Sequence, residues 1–149
     1  MKKKVLIVIA TYYDNISNNL RTGAQITLDT AKIDYSIKEV PGVFEIPVVI
    51  SRNIKKYDAF IALGCVIKGE TPHFHYISKT TIDALMKLSI ENKKPIGNGI
   101  ITALNKDQAS ARCGSNEVAR SHGRVYRLDH KKSGKGEEAA NAVIAVLSR

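Results

Sequence analysis

Tyr57-Asp58-Ala59-Phe60-Ile61-Ala62-Leu63-Gly64-Cys65 is the stretch from which the fold can be read. Its apolar core, Ala59 to Leu63, is short, partly aromatic or β-branched, and lacks the 3.6-residue period of a helix, so it predicts a strand buried on both faces. Strands of that kind belong to parallel sheets covered by helices. A glycine closes the apolar run, and Val66-Ile67-Lys68-Gly69-Glu70-Thr71-Pro72-His73 follows. Thr71 is a good N-cap and Pro72 suits a first helical position, where its missing N–H is one of the groups left unpaired anyway. His73 then falls in the first turn. The positive end of a helix dipole favours a neutral imidazole, so a histidine there is placed to accept a proton near pH 7, and the exposed amides suit an anion. Taken alone, the same residues also read as a surface histidine beside an ordinary cap.

Outward from this strand the chain alternates. Strands are expected at Val5–Ala10, Asp34–Val40, Asp58–Cys65 and Pro95–Ile101. Helices are expected at Ile16–Lys32, Phe44–Lys55, Pro72–Asn92, Lys106–Arg112 or beyond, and Lys135–Leu147. Alternation of this type implies parallel strands with right-handed crossovers, hence an α/β, three-layer α/β/α sandwich around a central four-stranded parallel sheet. The order is flavodoxin-like. Cys113 to Gly134, polar, basic and punctuated by glycine, reads as a long loop between the last two helices.

The composition fits one domain spanning residues 1–149, with 44% hydrophobic residues to fill a core. The basic start Met1-Lys2-Lys3-Lys4 and the short apolar run after it resemble a signal peptide only superficially, because polar residues follow with no small-residue cleavage pattern. No run is long enough to span a membrane. Two cysteines, Cys65 and Cys113, form neither a CxxC pair nor a disulfide framework, which points to free thiols in a reducing cytoplasm. No metal is expected, since His73 and His75 face different sides of a helix and no third ligand stands at the right spacing.

The formal net charge of +9 raises the question of a nucleic-acid partner. Most of the charge is dispersed over helix ends and the N-terminus. Only Arg120 to Lys135 is concentrated, and a nucleic-acid module would bind oligonucleotides through Arg120, Arg124, Arg127 and Lys131 with steep salt dependence. The expectation is no nucleic acid and no membrane.

In an open parallel sheet, ligands bind beyond the carboxyl ends of the strands. Tyr12 and Tyr13 follow the first strand and offer aromatic faces to a flat heterocycle. Pro41-Gly42-Val43-Phe44-Glu45-Ile46-Pro47 follows the second and feeds a helix start. After the fourth come Thr102, Asn105 and Gln108, with Arg112 beyond. Each has an ordinary reading: a packed tyrosine pair, a first-turn carboxylate, a surface cation. Their coincidence at one edge is the stronger signal.

Four blocks then carry a family resemblance: Val40 to Pro47; Leu63 to His73; Gly97-Asn98-Gly99-Ile100-Ile101-Thr102 with Asp107-Gln108-Ala109; and Gly134-Lys135-Gly136-Glu137-Glu138-Ala139-Ala140. In this order, and over nearly the whole chain, they resemble the lumazine synthases of riboflavin biosynthesis. The resemblance implies condensation of 5-amino-6-(D-ribitylamino)uracil with 3,4-dihydroxy-2-butanone 4-phosphate to 6,7-dimethyl-8-ribityllumazine, with no cofactor. It implies that Tyr12 stacks on the pyrimidine, that Val43, Phe44 and Glu45 hold the ribityl chain, and that Cys65, Val66 and Ile67 lie along the heterocycle. Glu70 and Thr71 would hold the butanone phosphate through main-chain amides and the threonine hydroxyl, with the Glu70 carboxylate turned away. His73 would transfer protons. Arg112 would clamp the phosphate, and it, Asn98 and Lys135 would come from a neighbouring subunit of a homo-oligomer. Thr11, Tyr13 and His75 depart from common family residues, where arginine, a polar residue and an acidic residue are frequent. The long segment from Cys113 to Gly134 departs further, and favours an isolated pentamer over an icosahedral shell of sixty subunits.

Overall fold

The computed structural model describes residues 2–114, 118–121, 124–127 and 134–149, with backbone alone at 118–121 and 124–127. Four parallel strands form the central sheet: β1 (Lys4–Ala10), β2 (Asp34–Val40), β3 (Ala59–Ile67) and β4 (Ile96–Ala103), in the order β2-β1-β3-β4. Five helices connect or flank them: α1 (Asp14–Thr30), α2 (Ile46–Arg52), α3 (His73–Asn92), α4 (Lys106–Cys113) and α5 (Lys135–Leu147). A 3-10 turn at Val43–Glu45 leads into α2.

Alternation along the strands sends side chains to two cores. Val5, Ile7, Ile9, Ile61, Leu63 and Cys65 meet α1, α4 and α5 through residues such as Leu20, Ala109 and Val143. Leu6, Val8, Phe60 and Ala62 meet α2 and α3 through Ile46, Ile50 and Leu85. The result is the expected α/β/α sandwich, with β1 and β3 buried on both faces. Burial of this kind, at about 25 cal/mol per Å² of apolar surface, is what drives three layers together. Among the described residues no helix is long and apolar enough to cross a membrane.

Several boundaries move relative to the sequence expectation. The third strand does not end at Cys65: its pairing with β4 continues through Cys65↔Ile101, Val66↔Thr102 and Ile67↔Ala103. Ladder hydrogen bonds, unavailable to a local pattern, extend both strands past their apolar runs. Gly64 lies inside β3 because Val43 occupies the space its Cβ would need, with Cγ1 only 2.6 Å from the ideal position. The helix expected over Phe44–Lys55 divides into the 3-10 turn and the short α2, with Pro47 in the first turn of α2. Helix α1 begins earlier than expected, at Asp14, and Pro72 precedes α3 rather than opening it.

The segment Cys113 to Gly134 is not simply a loop. It contains an antiparallel pair, β5 (Val118–Ser121) with β6 (Arg124–Arg127), in the register Val118↔Arg127 to Ser121↔Arg124, and β6 lies against α1. Short alternating runs of four residues are too brief to read as strands by periodicity. Lys131 lies outside the described residues. At the far end of this segment Gly136 brings α5 against α1, where a Cβ would collide with the Leu20 carbonyl.

Candidate active site

The strand order reverses direction between β1 and β3, and the crevice at such a switch point is where open α/β sheets bind ligands. A cavity of about 600 Å³ opens there, within the range of small-molecule sites. It is lined by Tyr12 and Tyr13 after β1, Gly42 to Glu45 after β2, Cys65 to Ile67 at the end of β3, and His73 and Ile77 on α3.

Local chemistry fixes each wall. Ser17 donates its hydroxyl to the Ala10 carbonyl at 2.6 Å and its N–H to the Tyr13 carbonyl at 2.9 Å, which ties the start of α1 to the end of β1. Tyr12 is 76% exposed, and its ring meets that of Tyr13 edge-to-face with centroids 4.9 Å apart. Across the cavity, the Gly42 N–H donates to Glu45 Oε1 at 3.1 Å and the Glu45 N–H to the Gly42 carbonyl at 3.2 Å. These bonds close the 3-10 turn. Val43 is thereby buried against β3, while Phe44 is left 58% exposed at the rim. The Cys65 thiol is pushed up to about 11 by burial, with the neighbouring Cys113 adding to the effect. It is a protonated, apolar wall at neutral pH and not a nucleophile.

His73 stands exposed at the first position of α3, its N–H 3.4 Å from Thr71 Oγ1. Ile77, four residues on, shares its helix face, which is how it reaches the same cavity. That spacing was readable in the sequence, as was Gly42 within the quoted turn. Glu70 and Thr71 are exposed beside the cavity's entrance helix but line neither cavity described here.

A second cavity, of about 380 Å³, lies at the end of β4. Ile100, Ile101, Thr102, Ala111, Arg112, Gly134, Lys135 and Glu138 line it. Asn105 caps α4 by accepting the Gln108 N–H at 2.9 Å, and Gln108 accepts the Leu104 N–H at 2.8 Å. Both amides are therefore spent on the helix start. One turn beyond, Arg112 extends its guanidinium to within 3.4 Å of the Thr102 carbonyl. Asn98 sits exposed on edge strand β4, its Oδ1 accepting the Ile100 N–H at 3.1 Å. Hence Tyr12, Val43, Phe44, Glu45, Cys65, Val66, Ile67 and His73 converge, Arg112 and Lys135 converge elsewhere, and the two cavities have no lining residue in common. Among the described residues no group of three or more His, Cys, Asp or Glu side chains is arranged to hold a metal ion.

Residues 2–149 match the family model described as 6,7-dimethyl-8-ribityllumazine synthase. The chain belongs to that family. Among its relatives, a 6,7-dimethyl-8-ribityllumazine synthase from Bartonella henselae is 43% identical over 152 aligned positions, covering 99% of this chain and 90% of the relative. The Bartonella tribocorum protein of the same name is 40% identical, covering 100% and 94%, and the Agrobacterium fabrum protein of that name is 39% identical, covering 99% and 97%. The lumazine synthase motifs fall at the two cavities. Gly42 to Glu45, Cys65 to Ile67 and His73 line the first, and Gly134, Lys135 and Glu138 line the second.

Proposed function

We propose that the chain is a transferase that condenses 5-amino-6-(D-ribitylamino)uracil with 3,4-dihydroxy-2-butanone 4-phosphate, forming 6,7-dimethyl-8-ribityllumazine, the penultimate step of riboflavin biosynthesis. The observation that carries the proposal is the convergence of Tyr12, Val43 to Glu45, Cys65 to Ile67 and His73 on one cavity at the switch point of the sheet. A flat heterocycle fits between the Tyr12 ring and the Cys65–Ile67 edge. Its polyhydroxylated ribityl chain fits the polar turn closed by Glu45.

The reaction needs proton transfers and little else. The 5-amino nitrogen attacks the ketone and water leaves, giving an imine. A proton is then lost from the adjacent carbon as phosphate departs from the terminal one. The resulting enol becomes a ketone, and the ribityl-bearing nitrogen closes the ring with loss of a second water. The exposed imidazole of His73 at the cavity mouth is the group for these transfers. Amines and ketones react unaided once held together, so orientation supplies much of the acceleration. No organic cofactor or metal is required by these steps.

Glu70 and Thr71 offer main-chain amides and a hydroxyl at the start of α3 for the butanone phosphate. Arg112, with Lys135 and Asn98, completes the site from an adjacent subunit. This reading is supported by the separation of the two cavities within one chain: the cations Arg112 and Lys135 at the end of β4 line a cavity that does not include His73. The assembly we favour is a homopentamer working as a single lumazine-synthase-like domain per chain in the cytoplasm, with both thiols, Cys65 and Cys113, free. The preference for a pentamer rests on the long segment between α4 and α5, whose β5–β6 pair lies against α1. Light scattering of the purified protein should give a mass near five chains; a megadalton particle would overturn the pentamer. The activity is tested by mixing protein with the two substrates and following the absorbance and fluorescence of the lumazine. Failure to exceed the spontaneous rate would defeat the proposed reaction.

A further inference from the structure

Tyr13 breaks a local rule. It is the N-cap residue of α1, a position that favours Ser, Thr, Asp or Asn because their side chains accept a free helix N–H, and its side chain makes no such bond. Residues that contradict local preference without helping the helix are expected to serve something else. The ring of Tyr13 goes elsewhere: one part packs against the core formed by β1, β3 and α1, and another faces the main cavity. Burial, helped by Cys65 and Tyr12, pushes its phenol up, so the hydroxyl stays neutral.

Tyr12 presents the complementary situation. It is the most exposed of the large apolar side chains in the cavity wall, and among the described residues its ring contact is with Tyr13. An exposed tyrosine on a connection between strand and helix has free χ1 and χ2 torsions, and stacking on a heterocycle requires both to be fixed. The edge-to-face contact, with centroids 4.9 Å apart and planes at 75°, is a geometry in which one ring restrains the other. Tyr13 is held by the core and Tyr12 by Tyr13.

We infer that Tyr13 is a positioning residue that presets the Tyr12 ring for stacking on the heterocyclic substrate, so that this chain obtains affinity for the flat ring at the expense of a helix cap. The inference deepens the proposed function and rests on it for the identity of the heterocycle. Its effect is confined to one substrate, since the butanone phosphate binds at the start of α3.

The test uses the full chain, wild type and with Tyr13→Leu and Tyr13→Phe. Leucine keeps apolar bulk against the core but removes the ring; phenylalanine restores the ring without the hydroxyl. Binding of 6,7-dimethyl-8-ribityllumazine is measured by fluorescence titration, independently of turnover, together with KM for each substrate and the thermal midpoint. Tyr13→Leu should weaken lumazine binding and raise KM for the ribitylaminouracil roughly 3- to 10-fold, the range of an aromatic pair interaction, with KM for butanone phosphate unchanged. Tyr13→Phe should return both to within about twofold of wild type, as expected if the ring carries the effect. Equal changes in both KM values, or a loss that phenylalanine does not rescue, would overturn the inference, as would unchanged lumazine affinity in Tyr13→Leu. Wild-type protein that binds lumazine with the expected Tyr13 dependence yet fails to accelerate the condensation would defeat the proposed reaction and leave the positioning role standing. Wild-type protein that does not bind lumazine would defeat both.

Discussion

Gly64→Ala is the substitution that most directly links the fold to the cavity. Gly64 does not carry a positive φ, so alanine is conformationally acceptable there, and in the absence of neighbours the change would stabilise by about 0.4–1 kcal/mol through the unfolded chain. The neighbours reverse the sign. The new Cβ would stand 2.6 Å from Val43 Cγ1 and 3.1 Å from Ala10 Cβ. Carbon atoms prefer about 3.5–4.0 Å, so the Val43 side chain must retreat by roughly 1 Å. Val43 is buried, its χ1 is stiff, and it is anchored in the short turn closed by Glu45. Overpacking of this sort costs about 1–3 kcal/mol, leaving a net loss of about 0.5–2 kcal/mol and a thermal midpoint lower by roughly 1–8 °C. Because the same turn forms the cavity wall, kcat/KM for the ribitylaminouracil should fall by up to about 10²-fold, the penalty for a displacement near 1 Å. Thermal unfolding and steady-state kinetics read both effects. Adding Val43→Ala removes the clashing methyls, so the double variant should be more stable than the sum of the two single changes predicts. Strictly additive losses, or a Gly64→Ala protein with wild-type midpoint and kinetics, would refute the reasoning.

Other expectations concern the chemistry. His73→Ala should lower kcat by roughly 10- to 100-fold, at or below the weak end of general acid–base effects, because holding the two substrates together survives the change; complete loss of acceleration in a folded variant would contradict this. Arg112→Ala should raise KM for butanone phosphate roughly 10- to 150-fold, as expected for loss of a charge-assisted hydrogen bond, while KM for the heterocycle stays put; a shift in both would place Arg112 elsewhere. Cys65 makes stability depend on alkaline pH. Its thiol is raised in the folded protein to about 11 from 9.0, so the contribution is fully present below pH 9 and lost as pH rises through 11. Cys65→Ala should flatten the decline in denaturation midpoint above pH 9; an unchanged slope would refute it.

How much of this was legible in advance differs from residue to residue. The run Ala59 to Leu63 announced a doubly buried strand because burial on both faces erases alternation. The aromatic pair, the Gly42–Glu45 turn and the His73 helix start were each placed at strand ends by simple alternation of elements, and the structure brings them to one cavity. Asn105 and Gln108, candidates by the same reasoning, instead cap α4, since short polar side chains at a helix start are drawn to its unpaired N–H groups. Tyr13 looked like a second platform and is better described by its contact with the first.

The sequence by itself determined the order of strands and helices, the parallel sheet and the strand-end loops that hold the candidate site, because backbone period and caps are local properties written in neighbouring residues. Tertiary structure alone decided that β3 runs on past Cys65 to Ile67, that part of the segment after α4 pairs as two strands, and that Arg112 and Lys135 open into a different cavity from His73. Those outcomes depend on ladder register and on which faces abut, and such contacts join residues far apart in the chain, where no local pattern records them.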